Sequence, residues 1–492
     1  MIWTIFSKEL RETVLDLRFA LVTALCLVVV PLGMYVAGVD YQQRVSDYTA
    51  ALQLAQKQNL TTPFVQAQGF LKPSPLSVFA QGLVGVMPEK AITYPPSPEA
   101  SYNAPVGPEL VRSGSVDSPL SQLFGGAGLL FSVSYVVSLA ALIFTFSTVS
   151  GERESGTLRL MLSNAVPRWA ILLGKMLGSY VALMIPFGLS LLAGVLLLQV
   201  TGAVPLLSGR LLGRDLVMLG VTLVFLLCMV NLGILGSVVT RRARSSMILL
   251  LFVWALLALA LPRITPLVAK LLYPVESSQL IAMKQRAAKD DAWLHYTMAK
   301  NKLNDQCMRE FGIPLTWRPT FDSKGQMKDL TDAESRALSA YDKGISDLKS
   351  EYAQRITSSV GSLEQDHENK SRIQTALAMN MARISPVSCY TFLLTDLSGT
   401  GLYELRKFRD RADLFQKQVT ANVYDKMLIK SFGGASFGGG GGGAQMPTMD
   451  DYQNTTLQEA FSARWPDMLL LGIFTIAFFA ISTVLFNRYD PR

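Results

Sequence analysis

The amino-acid sequence predicts an all-α integral membrane protein. It predicts six transmembrane helices, an amphipathic N-terminal interface helix and a large, mainly helical extracytoplasmic domain between the fifth and sixth spans. Half of the 492 residues are hydrophobic and only 17% are charged, with a mean hydropathy of +0.30. Six apolar runs are each long enough to cross a bilayer, which takes about 20 residues. Long polar segments separate some of these runs, so part of the chain lies in water.

The first 18 residues predict an amphipathic helix. Apolar residues recur there every three or four positions, and most of the charged residues fall on other faces. The apolar positions are Trp3, Phe6, Leu10, Val14 and Leu17, and the charged ones are Lys8, Glu9, Arg11, Glu12 and Asp16. Such a helix suits the headgroup layer of a membrane. A plain cytoplasmic extension of the first span is the alternative.

The predicted spans are apolar runs bounded by polar residues. They cover residues 19–38, 119–149, 169–200, 215–240, 245–272 and 467–487. The first is too long for the apolar core of a cleaved signal peptide, and no A-x-A site follows it, so we expect it to be retained. Pro262 and Arg263 interrupt the fifth, and proline breaks helical hydrogen bonding. Five spans is therefore the alternative count.

Lysine and arginine residues near the span ends predict the orientation. They lie before the first span, in the loops after the second and fourth spans, and after the sixth. Basic loops usually face the cytoplasm. Only the short loop 201–214, with Arg210 and Arg214, argues against this orientation. The sequence therefore predicts that both termini are cytoplasmic.

With this orientation, two large segments lie outside the membrane. Residues 39–118 begin with a polar, helix-compatible stretch and then become Pro-rich, which favours turns and extended chain. Residues 273–466 are predicted to be mainly helical. Within them, Thr331 and Glu334 form a capping-box pattern ahead of a seam of apolar residues. The glycine-rich stretch 433–443 predicts a flexible linker.

Little catalytic chemistry is predicted. His295 and His367 are the only histidines and are not paired by spacing, which argues against a histidine-rich metal site and leaves carboxylate or cysteine ligands as the alternative. Gly174 and Lys175 lack the Ser or Thr that completes a phosphate-binding loop, so we do not expect this chain to hydrolyse ATP alone. The net charge of +8 has no basic-aromatic cluster beside it, which argues against nucleic-acid binding. We therefore predict no catalytic residue, metal or cofactor in this chain.

The four cysteines divide between the membrane and the outside. Cys26 and Cys228 lie in predicted spans, where a thiol acts as a small apolar group. Cys307 and Cys389 lie in the outer segment, where a disulfide could persist in an oxidising compartment. The sequence leaves both the bonded and the free state open.

The segment 150–168 is charged and helix-forming, although apolar runs flank it on both sides. Its first turn contains Glu152, Arg153 and Glu154. A short helix fixed between two spans could press on a cytoplasmic partner and move both spans. An ordinary solvated loop is the alternative.

Two stretches resemble a known family. "SGERESGTLRLMLSNAVPRWAILLGKMLG", residues 150–178, resembles the E-R-E-x-G-T-L, P-x-R and GK-x-L-G pattern of permease subunits of ABC-2 type ATP-binding cassette transporters. It is particularly similar to the branch with the nitrous-oxide-reductase maturation and gliding-motility permeases. "RISPVSCYTFLLTDLSGTGLYELRKF", residues 383–408, resembles a segment of larger members of that branch, which carry a big outer insertion before the last span.

The resemblance implies a function and a set of partners. The chain would be a non-catalytic permease subunit in a bacterial inner membrane, coupled to a separate ATPase dimer that binds ATP and magnesium. The implied coupling residues are Glu152, Arg153, Glu154, Ser155, Gly156 and Thr157. Further implied partners are a second permease copy or paralogue, membrane lipid and a periplasmic partner. The alternative is a membrane-anchored scaffold or mechanotransmission protein whose outer helices bind a partner without transport.

Overall fold

The protein is described from a computed structural model. The structure describes residues 2–61, 67–93, 108–111, 128–162, 167–202, 204, 209–314, 331–419, 449 and 454–488. Within these residues, six helices are long and apolar enough to cross a membrane: Leu17–Lys57, Leu129–Glu154, Arg168–Val200, Gly213–Val239, Ala243–Leu272 and Leu457–Asn487. The all-α integral membrane fold predicted from the sequence is thereby confirmed.

The elements are numbered in chain order. The helices are α1 (Ile2–Leu15), α2 (Leu17–Thr61), α3 (Leu129–Phe131, the π turn Ser132–Val137 and Ser138–Thr145), α4 (Ser150–Glu154), α5 (Thr157–Leu162), α6 (Arg168–Val200), α7 (Gly209–Val239), α8 (Ala243–Ala255, the π turn Leu256–Ala260 and Leu261–Leu272), α9 (Ser278–Phe311), α10 (Asp332–Ala382), α11 (Pro386–Leu397), α12 (Leu402–Val419) and α13 (Leu457–Asn487). The strands β1 (Ala67–Phe70), β2 (Lys90–Thr93) and β3 (Glu109–Val111) form an antiparallel sheet in the order β1-β2-β3.

The main core lies among the membrane-crossing helices. Helix α6 packs against α1 and α2, and α7 packs against α3, α11 and α13. Helices α3 and α7 are central, with 67% of each spanning window buried, whereas only 11% of the window of α8 is buried. We call the end of the bundle that carries α1, α4 and α5 the α1 side, and the opposite end the far side.

The first spanning helix continues well beyond the apolar run that predicts it. Helix α2 ends at Thr61 rather than at residue 38, because the polar stretch after the span contains no helix breaker. Arg44 fixes this extension by donating from Nη2 to Ser77 Oγ over 3.2 Å. The sheet then forms where turns and extended chain were expected. The Pro-rich residues 94–107, the start of the 119–149 span and the linker 433–443 lie outside the described residues.

Helix α8 is continuous in spite of Pro262. A π turn, Leu256–Ala260, precedes the proline. Proline has no N–H, so the turn before it leaves a carbonyl without its usual helical partner. The carbonyl of Leu257 accepts a hydrogen bond from Ser385 Oγ at 2.7 Å. The interrupted run therefore still forms one helix of spanning length.

Helices α9 and α10 form a long antiparallel hairpin on the far side. Helix α10 begins with the expected capping box, in which Thr331 N donates to Glu334 Oε2 at 2.8 Å. Its apolar seam packs on α9 in a cluster that includes Tyr296, Tyr352 and Ile356. The seam predicted from the sequence thus finds its partner helix.

Cys307 and Cys389 are not joined in the structure, because both thiols are free. Cys307 lies near the end of α9, about 44 Å from Ser278 at a rise of roughly 1.5 Å per residue. Cys389 lies in α11 against the bundle, where its thiol donates to Arg383 O at 3.4 Å. The two cysteines therefore lie in different helices, and the disulfide that the sequence left open is not formed in the structure.

Candidate functional site

The residues implied in coupling form two short helices on the α1 side. Helices α4 and α5 are joined by Ser155 and Gly156, and Gly156 has a φ of +78°, which glycine adopts at little cost. Ser155 Oγ lies 2.9 Å from Thr157 Oγ1, which also donates to Glu152 O over 3.4 Å. The segment is therefore a folded turn with internal hydrogen bonds.

The carboxylate of Glu152 points into the protein. Its side chain is only 13% exposed, and its Oε1 lies 3.0 Å from Lys175 Nζ and 3.2 Å from Lys8 Nζ. Lys175 is 1% exposed and also donates to Glu9 Oε2 and to Thr148 O, each at 3.0 Å. This cluster connects α4 with α1, with α6 and with the end of α3.

Glu9 and Lys175 were not identified as site residues from the sequence, which assigned Glu9 to the polar face of α1. The signal that could have found them is the GK-x-L-G pattern on α6. A Cβ at Gly178 would lie 2.8 Å from Glu9 Cβ, and one at Gly174 would lie 3.0 Å from Ile5 Cγ2. The two glycines let α1 cross α6 closely, as small residues do between membrane helices. Burial raises the pKa of the Glu9 carboxyl, and the Lys175 ammonium opposes that effect.

The side chain of Arg153 binds the C-terminal end of α7. Its Nη1 donates to Thr240 O at 2.9 Å and its Nη2 donates to Val238 O at 3.3 Å. The last carbonyls of a helix have no partner within the helix, and a cation there is favoured by the helix dipole. Arg153 therefore ties α4 to α7 through two hydrogen bonds.

Glu154 binds the N-terminal end of α8. Its Oε2 accepts a hydrogen bond from Ala243 N, the first helical residue, at 3.1 Å. An anion at a helix N-terminus satisfies a free N–H group and complements the dipole. The three consecutive residues Glu152, Arg153 and Glu154 thus contact different helices.

Two further contacts hold the α1 side together. The backbone N–H groups of Val149 and Ser150 both donate to Ser237 Oγ of α7 at 2.9 Å. Arg168, at the start of α6, donates from Nη1 to Asn487 O at the end of α13 over 2.7 Å. The segment from α3 to α6 is therefore fastened to both α7 and α13.

The outward face of this segment lies on α5 and on the turn before it. Leu158 is buried at 1% exposure and anchors α5, whereas Leu160 is 72% exposed. Ser155, Thr157 and Arg159 are also exposed. Of the residues implied in coupling, Glu152 and Arg153 turn inward, and the accessible surface lies further along the chain.

The second stretch that resembles the family lies on the far side. Ser385 caps α11 and also binds the π turn of α8, as described above. Arg214 of α7 donates from Nε to Leu397 O at 2.9 Å, and Thr400 Oγ1 donates to Ala80 O at 2.7 Å. The stretch therefore joins α7, α8 and the segment between β1 and β2.

Comparison with known proteins identifies a family. The model of a family described as ABC-2 family transporter protein matches residues 3–491. No curated protein matches the chain. Because the family model covers nearly the whole chain, including both motif-bearing segments, this protein belongs to the ABC-2 family of transporter proteins.

Proposed function

We propose that this chain works with a separate ATPase subunit and that α4 and α5 carry the movement of that subunit into the membrane helices. Membership of the ABC-2 family makes the chain a permease subunit of an ABC transporter and implies an ATPase partner. The site of docking and the path of the movement are our inference from the contacts of the 150–162 segment.

The main support for the proposal is that three neighbouring side chains contact different helices. Glu152 contacts α1 and α6, Arg153 contacts α7, and Glu154 contacts α8. A displacement of α4 is therefore delivered to four helices at once. A solvated loop, the alternative from the sequence, has no need of inward contacts of this kind.

The docking surface in this proposal consists of Ser155, Thr157, Arg159 and Leu160. Arginine is enriched at protein interfaces and among the residues that dominate their binding energy, and the exposed Leu160 beside Arg159 offers apolar area that a partner can bury. The buried Leu158 fixes the orientation of α5 from beneath. Because Leu158 holds α5 in place and Leu160 is exposed, α5 presents an apolar side chain that a partner can cover.

Substitution of Leu160 tests the docking surface. In the variant Leu160→Asp we expect normal amounts in the membrane but loss of ATPase co-purification and of permease-dependent ATP turnover. The matched pair Arg159→Glu and Arg336→Glu places the same charge reversal on α5 and on the exposed far-side helix α10. Only the first of the pair should weaken association. Unchanged association in both Leu160→Asp and Arg159→Glu would overturn the docking surface.

Transmission is tested apart from docking with Arg153→Lys. Lysine keeps the charge but has no planar fork with which to reach both Thr240 O and Val238 O. We expect this variant to retain the ATPase subunit and to lower the coupled ATP turnover. Loss of association together with turnover would show that Arg153 belongs to the docking surface instead.

The same proposal includes the orientation and the remaining partners. Lys8 and the exposed Arg241, Arg242 and Arg244 all lie on the α1 side, which supports a cytoplasmic position for that side and for both termini in a bacterial inner membrane. ATP and magnesium would bind the partner subunit, and a second permease copy or paralogue would complete the complex. Cysteine labelling from outside should reach position 300 and not position 155; labelling of 155 would reverse the orientation.

A second candidate function is mechanical transmission without transport. It is favoured by the ion pair of Arg383, at the end of α10, with Asp467 of α13, whose Nε and Oδ1 atoms are 2.6 Å apart. This contact links the long hairpin directly to a spanning helix. Spin labels at positions 309 and 47 would then show a change of distance when the partner subunit binds ATP. An unchanged distance would exclude this candidate.

A further inference from the structure

A cavity of about 200 Å³ lies on the far side, where α10, α11, α12 and α13 meet. Its charged and aromatic lining consists of Arg383, Asp396, Tyr403, Arg406 and Arg464. A water molecule occupies about 30 Å³ in the liquid, so the cavity has room for a small anion of several heavy atoms. It is separate from the α4–α5 segment, which lies on the α1 side.

The cations of the cavity outnumber its carboxylates. Asp396 pairs with Arg464, and Asp467 pairs with Arg383 and also lies 3.5 Å from Arg464 Nη1. These contacts bring two carboxylates to two guanidinium groups. Within the part of the chain that the structure describes, no carboxylate lies within ion-pair distance of the half-buried Arg406. The cavity therefore holds one guanidinium in excess.

The surroundings of Arg406 make that excess charge unfavourable. Burial lowers the pKa of Arg406, and the neighbouring Arg372 and Arg464 lower it further, while Asp396 and Asp410 act in the opposite direction. An anion in the cavity would relieve this repulsion. Guanidinium groups bind phosphate and carboxylate oxygens through paired, charge-assisted hydrogen bonds.

Neutral donors complete the lining. Asn380 also lines the cavity, and its Oδ1 accepts from Arg383 Nη1 at 2.6 Å, which leaves the amide Nδ2 as a donor. Tyr403 of α12 lines the cavity as well. Donors from α10, α12 and α13 thus surround one space, an arrangement that suits the several oxygens of a phosphate group.

The position of the cavity along α13 is informative as well. Arg464 lies four residues before Met468, where the apolar stretch begins, and Trp465 beside it is 55% exposed. Tryptophan is enriched where membrane helices leave the hydrocarbon layer, at the depth of the lipid headgroups. These two features place the cavity close to the depth that we expect for lipid phosphates.

We propose that this cavity is a binding site for a phosphate group, with Arg406 and Arg464 as its cationic ligands and Asn380 as a neutral donor. The phosphate group belongs to an anionic lipid headgroup or to a soluble phosphate compound.

The test uses the full-length protein in nanodiscs and the variant Arg406→Gln, with Arg409→Gln as the matched control. Arg409 is on the same helix, pairs with Glu368 at 3.6 Å and is not part of the lining. In phosphatidylcholine nanodiscs, inorganic phosphate should raise the thermal unfolding midpoint of the wild type and of the control above that in sodium chloride of equal ionic strength. In Arg406→Gln the phosphate needed for half the effect should rise about tenfold or more, the usual effect of losing a charge-assisted contact.

A second arm identifies the source of the phosphate. Retention of phosphatidylglycerol by the wild type, but not by Arg406→Gln, in native mass spectrometry assigns the site to a lipid headgroup. A response to inorganic phosphate without lipid retention assigns it to a soluble compound. Without added inorganic phosphate or phosphatidylglycerol, Arg406→Gln should unfold no more easily than the wild type, because the substitution removes repulsion. Equal behaviour of wild type and Arg406→Gln in both arms overturns the proposal.

Discussion

Lys175 and Glu152 form a buried ion pair between α6 and α4, with Nζ and Oε1 3.0 Å apart. The Lys175 ammonium also forms an ion pair with Glu9 Oε2. The pair places the motif glutamate in the interior of the protein, where its loss affects the packing of α1, α4 and α6 as well as any partner.

The first prediction concerns Lys175. The variant Lys175→Met leaves Glu9 and Glu152 without their shared cation, and breaking a buried pair in this way costs about 3–5 kcal/mol. We therefore expect a lower thermal unfolding midpoint in detergent. The control is Lys8→Met, since Lys8 is 46% exposed and its pair with Glu152 is worth about 0–1 kcal/mol. Equal unfolding midpoints for the two variants would contradict the prediction that the ion pairs of Lys175 stabilise the fold.

The second prediction concerns the crossing of α1 and α6. The variant Gly178→Ala places a methyl group 2.8 Å from Glu9 Cβ and 3.2 Å from Phe6 O, so α1 must move away. Overpacking of this kind costs about 1–3 kcal/mol. Gly188→Ala, on the same helix, meets nothing within 4 Å and should be neutral or stabilising. Protease cleavage of α1 in membranes should increase only in the first variant; cleavage at the wild-type rate would argue against close packing.

The third prediction concerns the π turn of α8. In Ser385→Ala the carbonyl of Leu257 loses its donor and α11 loses its N-terminal cap, each worth about 1 kcal/mol. The matched control is Ser388→Ala, because Ser388 Oγ is buried without a hydrogen-bond partner among the described residues. The unfolding midpoint should fall for Ser385→Ala and stay unchanged or rise for the control. A lower unfolding midpoint for Ser388→Ala than for Ser385→Ala would mean that the Ser385 contact with Leu257 does not stabilise α8.

The fourth prediction concerns pH. Burial, together with Glu364, Glu368 and Asp410, raises the pKa of Asp413 in α12, and Arg409 only partly opposes this. A carboxyl whose pKa is higher in the folded than in the unfolded state destabilises the fold when ionised and does so less as the pH falls through the raised pKa.

Asp413→Asn should therefore raise the unfolding midpoint at neutral pH, and this gain should shrink on acidification. Asp347→Asn, at an exposed position on α10, serves as the control and should produce no such pH-dependent gain. A gain of the same size at every pH would refute the electrostatic explanation.

Much of the architecture follows from local patterns in the chain. Apolar runs of membrane length predict the six spans, because each helix satisfies its own backbone hydrogen bonds wherever it lies. The capping box at Thr331 and Glu334 likewise needs only neighbouring residues, and it forms as expected. The charged segment that begins at residue 150 stands out for the same reason, since its composition contrasts with that of its flanks.

The contacts of the site depend on residues that are far apart in the chain. In the sequence, Glu9 belongs to a polar helix face. It is nevertheless buried, because Gly174 and Gly178 allow α1 to pack closely on α6. There it contacts Lys175, which is 166 residues away in the chain. Helical periodicity reports which face is polar and carries no information about which charge meets which. The sequence by itself therefore determined the spans, the caps and the family pattern, whereas only the tertiary structure decided which motif charges turn inward, because ion pairs form by spatial proximity after the helices have packed.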